Sequence, residues 1–365
     1  MRFGAIVFFL LPILGNIYVL WHVWRILPLM PWAKTLILTL MVVAFLMLFV
    51  GLTRHLQMSM AWATVIYEIG TSWLIILLYL FMTFLLLDIG RLVHLVPPSF
   101  LKNSWAGTLT VAGVLLAVFV YGNIHYRHKA RQPLTLNTEK KIHRPLKVVM
   151  LSDLHVGYHN RRAELARWVD MINQEKADLI LIAGDIIDNS TRPLDEQQME
   201  KEFLRLNAPV VACLGNHEYY AGQPDSRLFY QKSDITLLKD SVMEVGDLCI
   251  IGRDDRTNLR RKKLTDLLQG VDRSKYLIVL DHQPYHLEEA EQNGIDFQLS
   301  GHTHHGQVWP ISWITEAVYE CAFGEWQRGN TRYYVSSGMG IWGGKFRIGT
   351  RSEYVVATID GSPSL

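Results

Sequence analysis

Charge is nearly missing from the first 126 residues. They hold eight charged side chains, Arg2, Arg25, Lys34, Arg54, Glu68, Asp88, Arg91 and Lys102, about 6% of the stretch. An ordinary soluble domain carries about four times that density, so this stretch is excluded as one. Cysteine is scarce as well: Cys213, Cys249 and Cys321 are an odd set with no zinc spacing. A disulfide framework is therefore excluded, and a reducing compartment fits. No GxGxxG or GxxxxGK[ST] follows the first strand signal, which argues against dinucleotide and P-loop sites. No inverted repeat or broken apolar segment points to a transporter.

What is present divides sharply. The net charge of +2 over 365 residues is a cancellation: residues 1–126 carry +4, residues 127–147 carry +6 and residues 148–365 carry −8. Nucleic-acid binding is not expected of so acidic a domain. Four apolar runs, near residues 3–20, 35–52, 71–87 and 105–121, approach the ~20 residues that cross a ~30 Å hydrocarbon core. Trp21, Trp24, Trp32, Trp105 and Tyr121 fall at run ends, as interfacial anchors do. The first run lacks a small-x-small cleavage pattern and reads as a retained anchor. The expected organisation is a four-helix transmembrane domain (1–126), a basic linker (127–145) and a soluble domain (146–365). Four spans place both termini on one side, with Arg2, Arg54, Arg127, Lys129 and Arg131. Positive-inside counting expects that side, and the soluble domain, to be cytoplasmic. Glu68, Asp88 and His94 are expected near span ends.

From residue 146 short apolar runs alternate with helical segments. Strands are expected at 147–151, 179–183, 210–214, 248–252, 277–280 and 297–300, with closing strands at 331–336 and 353–359. Helices are expected at 162–174, 195–206 and 285–292. This is an α/β pattern with a mixed sheet or two facing sheets covered by helices.

Each of five strands is followed by metal-ligand residue types: Ser152-Asp153-Leu154-His155, Gly184-Asp185-Ile186-Ile187-Asp188, Gly215-Asn216-His217-Glu218, Asp281-His282 and Gly301-His302-Thr303-His304-His305-Gly306-Gln307. In α/β sheets ligands bind at the carboxyl ends of strands. Two carboxylates, four imidazoles and one amide suffice for two divalent cations, and the mixed donors suit manganese, iron or zinc. Two such ions can clamp both oxygens of an in-line phosphoryl displacement. The two-residue spacing of Asp153 and His155 is expected to aim both side chains into one site from near-strand backbone.

The series D-x-H, G-D-x-x-D, G-N-H-E, H and G-H-x-H resembles the calcineurin-like metallophosphoesterases, especially a membrane-associated bacterial branch. The resemblance covers residues 146–360 and not the four spans; it implies a four-layer αββα sandwich, and the four transmembrane helices before it are expected in a bacterial inner membrane. It implies that Asp153, His155 and His304 bind one metal, that Asn216, His282 and His302 bind the other, and that Asp185 bridges them. His217 would be the general acid, Glu218 would orient it, and Asp188 would stand behind the ligands. His305 stands where this branch has glycine; it is a neutral replacement, a phosphate contact or a support for the ligands. The implied activity is phosphoric ester hydrolysis of the phosphodiesterase or pyrophosphatase type.

The substrate is less legible. The aromatic segment 309–326 follows the histidine motif and reads either as an amphiphilic lid for a lipid-linked phosphate or as part of the core or a membrane-resting surface. The glycine-rich loop 338–344, with Lys345, Arg347 and Arg351 nearby, is expected to face substrate phosphate. A soluble nucleotide or phosphoprotein substrate, and a metal-binding membrane receptor or scaffold without turnover, are the alternatives.

Overall fold

The structure, a computed structural model, describes residues 2–53 and 58–361. Arg54, counted above for orientation, lies outside the described residues. The chain divides into two compact units, Met1–Asn123 with Gly343–Lys345, and Ile124–Trp342 with Phe346–Leu365.

The charge-poor part forms helices α1 (Arg2–Ile26), α2 (Pro31–Gly51), α3 (Met60–Leu92) and α4 (Trp105–Arg127). Their outward faces are apolar: Leu36, Leu86 and Leu116 are each more than half exposed. Such faces are unfavourable in water and neutral in hydrocarbon. Among the described residues three helices, α2, α3 and α4, are long and apolar enough to cross a membrane, where the sequence suggested four. The described apolar part of α1, Leu10–Ile26, is shorter. At 1.5 Å per residue it reaches only ~26 Å. The third helix also begins eleven residues before the expected run, so Glu68 lies within it and not at its end. Asp88 accepts a hydrogen bond from the Tyr18 hydroxyl (2.8 Å) and meets His22 Nε2 (3.0 Å), joining α1 to α3.

The charge-rich part holds two six-stranded sheets. The first contains β1 (Lys129–Thr138), β2 (Leu146–Leu151), β3 (Leu179–Ala183), β4 (Val210–Cys213), β5 (Ile235–Leu237) and, inserted between β1 and β2, the last strand (Ser352–Gly361, here β12). The second runs in the order β10 (Gly324–Arg328), β11 (Thr331–Val335), β9 (Phe297–Ser300), β8 (Tyr276–Leu280), β7 (Leu248–Gly252) and β6 (Ser241–Val245). The sheets face each other. Their shared core interleaves Val148, Met150, Leu181 and Val211 of one with Ile250, Ile278, Phe297 and Leu299 of the other. Strands buried on both faces read as continuous apolar runs, which is why β2, β3, β7 and β8 were legible.

Helices cover the outer faces. On the first sheet lie α5 (Arg162–Gln174), α6 (Arg192–Gln197), α7 (Glu200–Phe203), α8 (Asn216–Ala221) and α9 (Gln223–Lys232). Leu165, Trp168, Val169 and Ile172 form the buried stripe of α5 at helical spacing. On the second lie α10 (Leu264–Leu267) and α11 (Glu288–Gln292). The domain is thus a four-layer α/β/β/α arrangement. A final helix, α12 (Ile311–Val318), follows the histidine motif.

Three expectations need correction. Residues 127–145 are not simply a linker, because β1 pairs in parallel along its whole length with β12. Leu134 and Leu136 enter the shared core, while Pro133 sits where only an edge strand tolerates it. The single helix expected at 195–206 is two, because Gln198 turns left-handed (φ 52°) and ends the first. The helix expected from residue 285 begins at Glu288, because His286 is also left-handed (φ 55°).

Candidate metal centre

Strands β2, β3 and β4 run parallel, as do β8 and β9, so their carboxyl ends lie on common edges. The five loops carrying ligand types leave from those ends and bring their side chains together. Three groups of candidate donors result: Asp153, His155 and His304; Asp185, His282 and His302; and His155, Asp185 and His217.

The first group is a triangle. His155 Nε2 lies 3.0 Å from His304 Nε2 and 3.8 Å from Asp153 Oδ1, and His304 Nε2 lies 3.5 Å from the same oxygen. Neighbouring donors on a tetrahedral ion with ~2.1 Å bonds stand ~3.4 Å apart, so the triangle fits a divalent cation. In the second group His282 Nε2 lies 3.1 Å from Asp185 Oδ2 and 3.2 Å from Asn216 Oδ1. Asp185 Oδ2 is also 3.7 Å from His155 Nε2, so one carboxylate reaches both groups. The donor set fits two cations, with Asp185 between them.

The backbone reaches this geometry differently from the near-strand route expected. Asp153, His155, Asp185, His302 and His304 all have φ between 44° and 70°. Each turns left-handed just past its strand, a conformation that Asp and His tolerate better than most residues. Two glycines make room. A Cβ at Gly215 would sit 2.1 Å from Asp185 Oδ1, and one at Gly301 would sit 2.3 Å from Asp153 Oδ2. Asn160 braces the first loop, donating from Nδ2 to the carbonyls of Leu154 and His155.

Electrostatics follow from burial and carboxylates. Burial opposes a charged His155, yet Asp153 and Asp188 outweigh it and push the ring up to about 10. His282 is likewise raised against burial, by Asp185. Burial holds His302 down at about 4, helped by His282, and lowers His304. Asp153 and Asp185 are depressed despite burial, by His304 and His282 respectively. Bound cations would compete for the protons of the raised histidines, since only neutral imidazole ligates.

The supporting residues are redistributed relative to expectation. Asp188 is fully buried and meets His155 Nδ1 at 3.5 Å, His217 Nδ1 at 3.4 Å and His159 Nδ1 at 3.8 Å. It thereby orients His217 and leaves His155 Nε2 for the metal, the arrangement of a ligating histidine held by a carboxylate. Glu218 does not orient His217 through its carboxylate. That group accepts the backbone N–H groups of Gly215 (2.7 Å), Ile187 (3.0 Å) and Asp185 (3.1 Å) and ties two ligand loops together. Burial, then Asp185, raises its pKa. His305 pairs with Glu316 (2.9 Å) and stacks on Phe323 (4.5 Å), so it supports neither cation group. Arg347 is fully buried, with its Nη1 donating to the His304 carbonyl at 2.6 Å and its Nη2 to the Gly340 carbonyl at 3.2 Å. It braces a ligand loop and is not open to substrate; burial lowers it to about 10. The start of the glycine-rich loop is also internal, with Met339 N and Gly340 N donating to the Ser152 and Asp153 carbonyls. Arg351 pairs with Glu353. Sequence reasoning missed His159 and Asn160, which carry no motif and act through the fold of the turn they share.

Comparison with known proteins bears on the family of the chain. A family model described as calcineurin-like phosphoesterase matches residues 146–306. A metallophosphoesterase of Aquifex aeolicus is 31% identical, over 59% of this chain and 85% of its own length. One of Helicobacter pylori strain J99 is 32% identical over 58% of this chain, which spans only 59% of that relative's length. A Danio rerio protein named "Transmembrane protein with metallophosphoesterase domain" is 26% identical, over 77% of this chain and 70% of its own.

Proposed function

The chain belongs to the calcineurin-like phosphoesterase family, and from that premise we propose a membrane-anchored, dinuclear-metal hydrolase of phosphodiester or pyrophosphate bonds. The observation that carries the reading is the convergence of seven metal donors from five strand ends, with Asp185 reaching both groups. Asp153, His155 and His304 would hold one cation, and Asn216, His282 and His302 the other. Manganese, iron or zinc suits these donors. Such cations polarise a phosphoryl oxygen and make a water nucleophilic at neutral pH.

The chain's own residues supply the rest. Asp188 fixes Nδ1 of His217, which leaves Nε2 to carry a proton to the leaving oxygen. Glu218 and Arg347 hold the loops on which Asp185 and His304 ride, and keep the donors in register. Apolar helices α2 to α4, with the Danio rerio relative's name, support membrane association. Four spans, an inner-membrane location and a cytoplasmic catalytic domain extend that reading through the basic residues after α4.

A lipid-linked phosphate is the substrate class we favour. On α12 and the turn before it, Trp309, Trp313, Ile314 and Val318 are each more than two-fifths exposed, directly after the histidine motif. Trp309 and Trp313 also pack edge to face at 5.3 Å.

The test is hydrolysis of bis(p-nitrophenyl) phosphate and of a lipid phosphate and pyrophosphate panel by purified, manganese-loaded protein. Wild type is expected to turn over and Asp185→Asn to be inactive. Full activity of Asp185→Asn refutes the site.

A further inference from the structure

With Arg347 internal, the arginine open to a ligand is a different one. Among the described residues, the Arg256 guanidinium has no hydrogen bond or ion pair, and its Nη1 is buried without a partner. Its contact is the face of Tyr285, 4.4 Å from guanidinium carbon to ring centroid. Two nearby arginines are paired, Arg253 with Asp281 and Glu289 and Arg261 with Asp281. The adjacent Asp255 is taken, since both of its oxygens accept from Gln283 Nε2 (3.0 and 2.9 Å). A buried guanidinium N–H left without an acceptor is unfavourable and calls for an explanation.

Its surroundings supply one. Tyr285 lies three residues past His282, and its hydroxyl donates to the Tyr319 hydroxyl at 3.1 Å. The two rings are 4.8 Å apart, and the Tyr319 ring stands 6.3 Å from that of His302. Arg256, Tyr285 and Tyr319 therefore form a wall that begins at a candidate ligand of the second cation. Stacking fixes the guanidinium plane while its N–H groups stay unspent, the usual preparation for bidentate recognition of an anion. The wall puts Arg256 two aromatic rings from His302. The contacts that link Arg256 to His302 run in series through Tyr285 and Tyr319, at 4.4, 4.8 and 6.3 Å.

We propose that Arg256, seated on Tyr285 and flanked by Tyr319, is a subsite for a second phosphoryl group, so that the enzyme prefers pyrophosphate-linked substrates to simple diesters. This rests on the hydrolase reading above and narrows it.

The experiment uses the full-length, manganese-loaded protein in nanodiscs. Methylenediphosphonate, which cannot be hydrolysed, and methylphosphonate are titrated calorimetrically into wild type, Arg256→Ala and Arg256→Lys. Arg256→Ala is expected to weaken methylenediphosphonate by ~10-fold or more, the loss typical of a charge-assisted hydrogen bond, and to leave methylphosphonate within about twofold. Arg256→Lys is expected to recover only part, because an ammonium gives no planar fork. Unchanged binding of both ligands, or equal weakening of both, overturns the subsite. Turnover of bis(p-nitrophenyl) phosphate is measured alongside. Persistent turnover with no ligand discrimination sinks the subsite and spares the hydrolase. Discrimination without turnover of any phosphoester sinks the hydrolase and spares the subsite. Matched melting temperatures of the variants exclude misfolding as the cause.

Discussion

Replacing Asp188 by asparagine tests whether its carboxylate orients His217, the proposed proton donor. The carboxylate stands 3.4 Å from His217 Nδ1. For a protonated His217, Coulomb attraction at an effective dielectric of ~20 bounds the interaction at about 5 kcal/mol. At about 1.4 kcal/mol per factor of ten, that bound is a rate effect of ~10³ to 10⁴. Asparagine keeps the shape and one acceptor, so kcat at saturating metal is expected to fall ~10- to 10³-fold. Asp188 also meets His155 Nδ1 at 3.5 Å, so metal affinity falls too, by ~10- to 100-fold for a group that supports a ligand. The assay is steady-state hydrolysis of an aryl phosphodiester across a manganese titration, which resolves kcat from metal occupancy. Glu218→Gln is the control, because its carboxylate ties loops and does not hold the His217 ring. It should lower melting temperature more than it lowers kcat per folded, metal-loaded molecule. If Asp188→Asn keeps kcat within twofold at saturating metal, the assignment of Asp188 to His217 is wrong.

Three further outcomes are expected. Leu136→Ala, in a strand whose sequence reads as a linker, should destabilise by ~2–5 kcal/mol, as buried leucines do; chemical denaturation showing no change would mean β1 is dispensable. Glu202 has its pKa lowered: burial opposes this, and Arg162 and Arg205 outweigh it. Its contribution is present above the unfolded carboxylate value and is lost as pH falls through the folded one, so Glu202→Gln should flatten the acid limb of a stability profile while leaving pH 7 to 8 nearly parallel to wild type. Manganese should raise the melting temperature in proportion to the logarithm of its concentration once above Kd, and His304→Ala should cut that rise; a metal-independent melt would argue against the donor triangle.

Much of the catalytic fold could be read because buried strands betray themselves. Leu179–Ala183 is apolar on both faces, Phe297–Ser300 is buried on both, and each is followed by a loop of candidate ligands. The edges were harder. β1 alternates burial and carries Lys129, Arg131 and Pro133, so composition alone presents it as a charged tether. Its pairing with β12 is a contact across more than 200 residues, which local pattern does not encode. The cluster of candidate donors was legible because motif and strand end coincide. The roles of Asp188, Glu218 and Arg347 were not. A carboxylate or guanidinium beside a ligand in sequence can point at substrate, at a ligand ring or at a backbone amide, and only packing decides which.

The left-handed turns at the candidate ligands have a consequence for the stability of the domain. Outside glycine, each such residue works against folding by roughly 1–2 kcal/mol, and Asp153, His155, Asp185, His302 and His304 concentrate five of them in three loops. The stretch most responsible for chemistry is then the one the rest of the sandwich must hold in place against its own preference. Glycine at any of these positions would relieve the backbone and remove a candidate donor, so folding stability and cation binding pull the same five residues in opposite directions.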